Sequence, residues 1–201
     1  ALGPHISWVQ NDPVRYLESA EGKASPPSSG MLVHSIYYLP TAATFGSILA
    51  ALHRSGAQHV FLAEWALSIG DDLQALPHLL SVLLQSVEPL PEGNIRTVLS
   101  PSEMLKFAER AGWELVGSEI MKPADDVQDG GWEAAFSKSI AREVFKEERA
   151  LSDADRTKET IRKASIRAHG EALLQAIQQL PEGKTSKTKP MNVWAAVLKR
   201  K

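Results

Sequence analysis

The chain has 201 residues, 43% of them apolar and 23% charged, a composition that suits one globular domain with a substantial core. Its net charge of -2, from 22 basic and 24 acidic residues, lacks the strongly basic footprint of a dedicated nucleic-acid binder. There is no cysteine, which excludes disulfides, thiolate nucleophiles and thiolate metal sites and is compatible with an intracellular setting, cytoplasmic or nuclear.

No apolar run is long enough to span a bilayer, so no membrane association is expected. The opening Ala1-Leu2-Gly3-Pro4 has neither an initiator methionine nor a signal-peptide layout, which suggests a processed product or a fragment.

His5 to Gln10 reads as a short strand, with Ile6, Trp8 and Gln10 alternating against Ser7 and Val9. Asn11-Asp12-Pro13 is a turn signal, and Val14, Tyr16 and Leu17 suggest a turn of helix beyond it. Ser19 to Gly30, with Pro26 and Pro27, reads as an exposed loop. Met31 to Leu39 is an apolar, aromatic-rich strand that stops at Pro40.

Thr41 can cap a helix whose apolar positions Phe45, Ile48, Leu49 and Leu52 form one stripe, ended by Gly56 just past His53-Arg54. His59 to Leu67 is a second apolar run, and its strand around 59–66 is apolar on both faces, which marks it as interior to a parallel sheet. Strand, helix, strand at this spacing is the βαβ unit of a parallel sheet.

Asp71-Asp72 then leads into a leucine-rich helix through Leu76, Leu79, Leu80, Leu83 and Leu84, which tolerates Pro77 only in its first turn. Arg96 to Leu99 is an extended lead-in. Ser100, Pro101 and Glu103 form the clearest cap in the chain, at N-cap, N1 and N3. That helix turns Leu105 and Ala108 inward, stops at Gly112 and hands over to a strand from Trp113 to Ile120.

After Met121 the composition changes. A loop holding Asp125-Asp126 and Asp129-Gly130-Gly131 precedes two helical segments, roughly 132–148 and 153–180. The second is expected to start from Ser152, to bury Ile161, Ala164, Ala168, Leu173, Ile177 and Leu180, and to close at Pro181 and Gly183. Met191 to Leu198 is a strand apolar on both faces, and so belongs inside the sheet although it comes last.

This order of elements resembles the later part of a class I methyltransferase, the S-adenosylmethionine-dependent family. Met31 to Leu39 resembles the family's fourth strand and His59 to Trp65 its fifth. Ser100-Pro101-Ser102-Glu103 followed by Ala111-Gly112-Trp113 resembles its penultimate helix and the handover to the next strand. Residues 191–198 resemble the terminal strand that inserts antiparallel between two earlier ones.

Ile6 to Asp12 resembles the third strand and the acidic position after it, which commonly contacts the adenine amino group. The resemblance implies an α/β, Rossmann-like methyltransferase sheet that is incomplete, lacking the first two strands. It also implies a helical insertion or cap over 122–188 within one partial domain, 1–201. S-adenosyl-L-methionine is the implied cofactor, with Asn11, Asp12 and Ser35 as its contacts in this chain.

One feature of the family is missing. Gly3, Gly22 and Gly30 do not make the glycine-rich turn after a first strand, where the backbone must approach the cofactor closely. The strand at 31–39 is therefore expected to present an open edge, a hazard for association unless covered. The expected partner is the missing N-terminal half or another polypeptide that completes the sheet, with a small molecule or a protein side chain as methyl acceptor.

His34, Tyr37 and Glu64 are the catalytic candidates. His34 can serve as a base near neutral pH, or be a strand histidine held under a helix. Tyr37 or Tyr38 can wall an acceptor pocket, or be a core residue. Glu64, set among apolar neighbours, must sit at the strand end or be paired, whether to orient an acceptor or as a structural contact. Trp132, Phe136 and Phe145 can line an acceptor cavity or simply cover a sheet face. The six histidines show no metal-binding spacing, so no metal is expected. The competing reading is a non-catalytic, methyltransferase-like scaffold subunit that docks a partner.

Overall fold

The computed structural model describes residues 5–87, 93–127, 129–143 and 153–201. Four strands form one sheet: β1 (Ser29–Val33), β2 (His59–Trp65), β3 (Trp113–Met121) and β4 (Val193–Arg200). Their spatial order is β1-β2-β4-β3. β1 and β2 are parallel, with Leu32 beside Leu62. β4 runs antiparallel to both β2 and β3, placing Ala196 between Leu62 and Ser118. The expected antiparallel insertion of the last strand is thus present, two residues later in sequence than its apolar run indicates.

Among the described residues two α-helices precede the sheet, α1 (Pro13–Glu18) and α2 (Ala20–Ala24), and five lie on its connections: α3 (Ala42–Arg54), α4 (Leu76–Val87), α5 (Pro101–Arg110), α6 (Asp129–Glu143) and α7 (Asp153–Gln178). Leu17 of α1, the stripe Phe45, Ile48, Leu49 and Leu52 of α3, and Met104 and Ala108 of α5 pack on one face of the sheet. They meet Leu32, Val60, Leu62, Trp194, Ala196 and Leu198 there. Each fully buried large aliphatic side chain in this layer contributes about 1.5–3 kcal/mol.

The caps follow the sequence. Thr41 accepts from the Thr44 N–H, and Ser100 and Glu103 form a reciprocal capping box. Gly112 adopts φ +90, and a Cβ there would come within 2.7 Å of His53, so the α5–β3 handover needs glycine.

α4, α6 and α7 pack together, with Leu84 of α4 against Ile166, Leu173 and Ile177 of α7. α4 also closes the C-terminal end of the sheet through Val82, which joins Tyr37 and Met191 in a second buried cluster. Along α7, Leu173 and Ile177 are buried as expected and Leu180 just beyond it is too, but Ile161 is 66% exposed and Ala164 and Ala168 face solvent. Among the described side chains the inward stripe runs instead through Ile166, Gly170 and Leu173, the first and last of which pack with Leu84 of α4. Ser152 and Phe145 lie outside the described residues.

Three segments differ from the sequence reading. Residues 6–10 pair with no strand among those described, and Trp8 is 91% exposed. With no neighbouring strand, these exposed residues leave their backbone groups to water, so their alternation does not make them a strand. Second, the loop read over 19–30 holds α2, because Ser19 caps it by accepting from the Gly22 N–H, and β1 already begins at Ser29. Third, β1 stops at Val33 and not at Leu39, because His34 takes a left-handed conformation, φ 43, that turns the chain out of the sheet.

β1 pairs on one side only among the described strands, leaving its other edge open. Among the described residues, the sheet face opposite α3 and α5 is also uncovered. Met31 (71% exposed), Val33 and Phe61 lie on it, and a shallow groove of about 440 Å³ runs across Val33, Phe61, Ala63, Val197 and Gly117.

Stability should rest on the covered face. Phe45→Ala is expected to cost about 3–5 kcal/mol through cavity formation, and Ser100→Ala about 1 kcal/mol through loss of the cap. Urea denaturation of the variants reads both, and a Phe45→Ala cost no larger than that of Ser100→Ala would contradict this layering.

Candidate functional site

The C-terminal ends of β1 and β2 are held by one carboxylate. Glu64, 1% exposed, projects from β2 toward the turn that follows β1. Its Oε2 accepts from the Ile36 N–H at 3.0 Å and the Tyr37 N–H at 3.4 Å, and its Oε1 accepts from the Trp65 N–H at 3.0 Å. His34 Nδ1 lies 3.4 Å from the same Oε1, an ion pair whenever the imidazole is protonated. The carboxylate thus supplies the acceptors that a continuing β1 would have found on a neighbouring strand.

His34, Ser35, Tyr37 and Glu64 therefore share one turn. His34 is half-exposed and lies on the Trp65 indole, with ring centroids 4.4 Å apart. Ser35 is half-buried at the same strand end. Tyr37 faces inward and is 1% exposed. Its hydroxyl lies 3.0 Å from the Trp65 carbonyl and 3.1 Å from the Leu99 carbonyl, and its own carbonyl accepts from the N–H groups of Arg96 and Thr97.

Burial, with the charges of Glu64 and Glu103, pushes the Tyr37 phenol far above its ordinary pKa. Tyr37 therefore ties the turn to the 96–99 segment, and its neighbour Tyr38 is the tyrosine on an open wall. Asn11 and Asp12 are exposed, just ahead of Pro13, which lines a cavity of about 350 Å³ together with Ser35. Asn11 accepts from the Asp12 N–H, and Asp12 caps α1 by accepting from the Arg15 N–H at 2.9 Å.

A cavity of about 160 Å³ opens beside the turn, between Tyr38, Trp65 and His78 on one side and Asp129, Trp132 and Glu133 of α6 on the other. His78, from the first turns of α4, is fully buried and packs edge-on to Trp65 at 4.7 Å. Its Nδ1 accepts from the Met191 N–H at 3.0 Å, while its Nε2 has no hydrogen-bond partner. Burial, aided by the nearby His34, lowers its pKa to about 3, so the ring is neutral and its proton is on Nε2.

Glu133 accepts from Gln85 Nε2 at 2.6 Å, and burial, with Asp129 nearby, still holds its carboxyl above the usual range. Gly130 lets the start of α6 close in, since a Cβ there would come within 2.5 Å of the Lys189 carbonyl. Trp132 and Phe136, expected near an acceptor, stack on each other with centroids 6.1 Å apart, and Trp132 lines the cavity. Sequence reasoning missed His78, Asp129 and Glu133 as wall residues. The available signal was a histidine inside an otherwise leucine-rich helix.

No protein-family model matches the chain. Two curated proteins of Diaporthe leptostromiformis, "Methyltransferase phomM'" and "Methyltransferase phomM", are each 26% identical over 240 aligned residues that take in 100% of this chain. The chain spans 58% of the length of these relatives. Among solved structures, a cyclopropane-fatty-acyl-phospholipid synthase-like protein from Lactobacillus casei ATCC 334 superposes with a TM-score of 0.63 at 18% identity, covering 91% of this chain and 60% of that one. The chain has a class I methyltransferase fold.

S-adenosylmethionine is the cofactor this fold implies. In the methyltransferase frame, β1, β2, β3 and β4 take the places of the fourth, fifth, sixth and seventh strands. Of the residues expected to contact it, Ser35 stands beside His34 at the β1 end, whereas Asn11 and Asp12 already accept from the Asp12 and Arg15 N–H groups. The wall that approaches the methionine end needs a glycine-rich turn that these 201 residues do not contain.

Two outcomes test this description. Glu64→Ala should cost about 2–4 kcal/mol, since it strands the buried Ile36 and Trp65 N–H groups, with chemical denaturation as the measurement. His78 is held below its unfolded pKa of about 6.5, so its contribution is fully present above that pH and is lost as pH falls toward about 3. The slope should approach about 1.4 kcal/mol per pH unit. Stability of the native chain relative to His78→Gln, measured between pH 7 and 5, should therefore decline on acidification. A difference independent of pH would contradict a buried neutral imidazole.

Proposed function

We propose that this chain is the C-terminal part of an S-adenosylmethionine-dependent methyltransferase unit, which methylates a small molecule or a protein side chain once a second polypeptide segment completes the sheet. The observation that carries the reading is the strand order β1-β2-β4-β3 with β4 antiparallel in its interior. The open β1 edge and the bare face across Met31, Val33 and Phe61 support the same reading. A parallel strand beside β1 and helices over that face would bury both. The curated relatives extend well beyond the matched region, which is consistent with such a segment.

In the completed site, Asn11, Asp12 and Ser35 hold the cofactor from this side. Bound S-adenosylmethionine supplies an activated methyl group, so the protein has only to align and desolvate the acceptor. Glu64 fixes the 34–37 turn, and His34, half-exposed beside Trp65, is placed to take a proton from the acceptor. The 122–188 section acts as the cap over the acceptor side, through α6. A non-catalytic docking subunit is the second reading. The fact that Asp12 already caps α1 favours it.

Isothermal titration with S-adenosylhomocysteine, combined with intact mass of every polypeptide in the purified material, separates these readings. Binding is expected only where a further segment accompanies the 21.9 kDa chain. Binding by the lone chain would overturn the need for a completing segment. A completed assembly that does not bind would overturn methyl transfer in favour of the docking role.

A further inference from the structure

The geometry points to an amine as the acceptor, held in the cavity between the β1–β2 ends and α6 by the carboxylates of Asp129 and Glu133 against the Trp65 and Trp132 rings. This assignment of substrate class rests on the reading of the chain as part of a methyltransferase. The walls decide the chemistry. Two carboxylates and three aromatic side chains, Tyr38, Trp65 and Trp132, face one small space, and no lysine or arginine is among its lining residues.

An ammonium is the group that such a box stabilises on every side, by hydrogen bonds to the carboxylates and by attraction to the indole faces. To accept a methyl it would first give one proton to Asp129 or Glu133, so that the freed nitrogen lone pair forms the new N–C bond as the sulfonium C–S bond breaks and a neutral thioether leaves. A carboxylate or phosphate would meet like charge there. The surroundings report the same field, since the Tyr38 phenol is raised first by burial and then by Glu133, Glu64 and Asp129.

The second, independent mark is His78. It is fully buried, lines the cavity and carries its proton on an Nε2 with no partner. A buried donor left unsatisfied is costly, and native structures rarely retain one without a use. With Met191 fixing the other ring nitrogen, this N–H is available to an oxygen on the same ligand. The matched ligand is therefore an amine with a hydroxyl or carbonyl oxygen nearby and an apolar body, and not an acid or a neutral hydrocarbon. Trp132, 64% exposed, stands at the rim, where a larger body can extend past it.

The test uses three probes that share one ring, namely benzylamine, benzyl alcohol and benzoate, titrated into the purified chain and followed by tryptophan fluorescence and saturation-transfer NMR. No cofactor is added. Benzylamine should bind about tenfold or more tightly than either analogue, and Glu133→Gln should remove most of that preference. Because Glu133 also contacts Gln85, the exposed variants Asp129→Asn and Trp132→Ala serve as second probes, and each should weaken benzylamine severalfold with the melting temperature unchanged.

Equal binding of the three probes, or benzylamine binding that none of the three variants alters, overturns the assignment. The two proposals fail separately. Amine selectivity without S-adenosylhomocysteine binding by the completed assembly leaves this site and removes the methyltransferase reading, whereas cofactor binding without amine selectivity does the reverse.

Discussion

Glu64 is the constraint on which the upper end of the molecule depends. A carboxylate that is 1% exposed is costly to bury unless its lone pairs are filled. Here three backbone N–H groups fill them, two from the turn after β1 and one from its own strand end. By taking those donors it bends the chain out of the sheet at His34, sends Tyr37 into the core and leaves Tyr38 outside. Tyr37 then anchors the 96–99 segment, and that segment positions the cap of α5. A side chain read from sequence as a candidate for chemistry thus does its main work on the backbone.

Much of the architecture was legible because local chemistry and global packing agree. The Phe45, Ile48, Leu49 and Leu52 stripe, the Ser100–Glu103 capping box and the two-faced apolar run around Trp194 each allow one arrangement, and the structure has it. The strand at 31–39 was misread past Val33 because apolar composition does not distinguish a strand from a buried turn. Ile36 and Tyr37 are buried in either case. Only the partner of their N–H groups, 28 and 27 residues away, separates the two. Residues 6–10 fail for the opposite reason. Their alternation is strand-like, but pairing is a property of neighbours and not of the segment.

The cavity was the least legible part. Its walls come from the turn after β1, the end of β2, the start of α4 and the start of α6. No motif ties these segments together in sequence. What joins them is the hydrogen bond from the Met191 N–H to His78 and the close approach of Gly130 to Lys189, both long-range. His34 and Glu64 could be singled out by composition, whereas Asp129 and Glu133 look like ordinary solvated acids at a helix start until α6 is docked.

The position of β4 has a consequence for how the molecule assembles. β3 reaches β2 only through β4, and β4 is the last of the four strands to leave the ribosome. Until it arrives, the described residues of the β1–β2 pair and of the α5–β3 unit share no backbone–backbone hydrogen bond, so the interior of the sheet is zipped shut from the carboxyl-terminal side in a late, non-local step. A nascent chain halted shortly before residue 193 would carry the β1–β2 pair and a single β3 strand, each with an unpaired inner edge, in the form most prone to pair with the wrong partner.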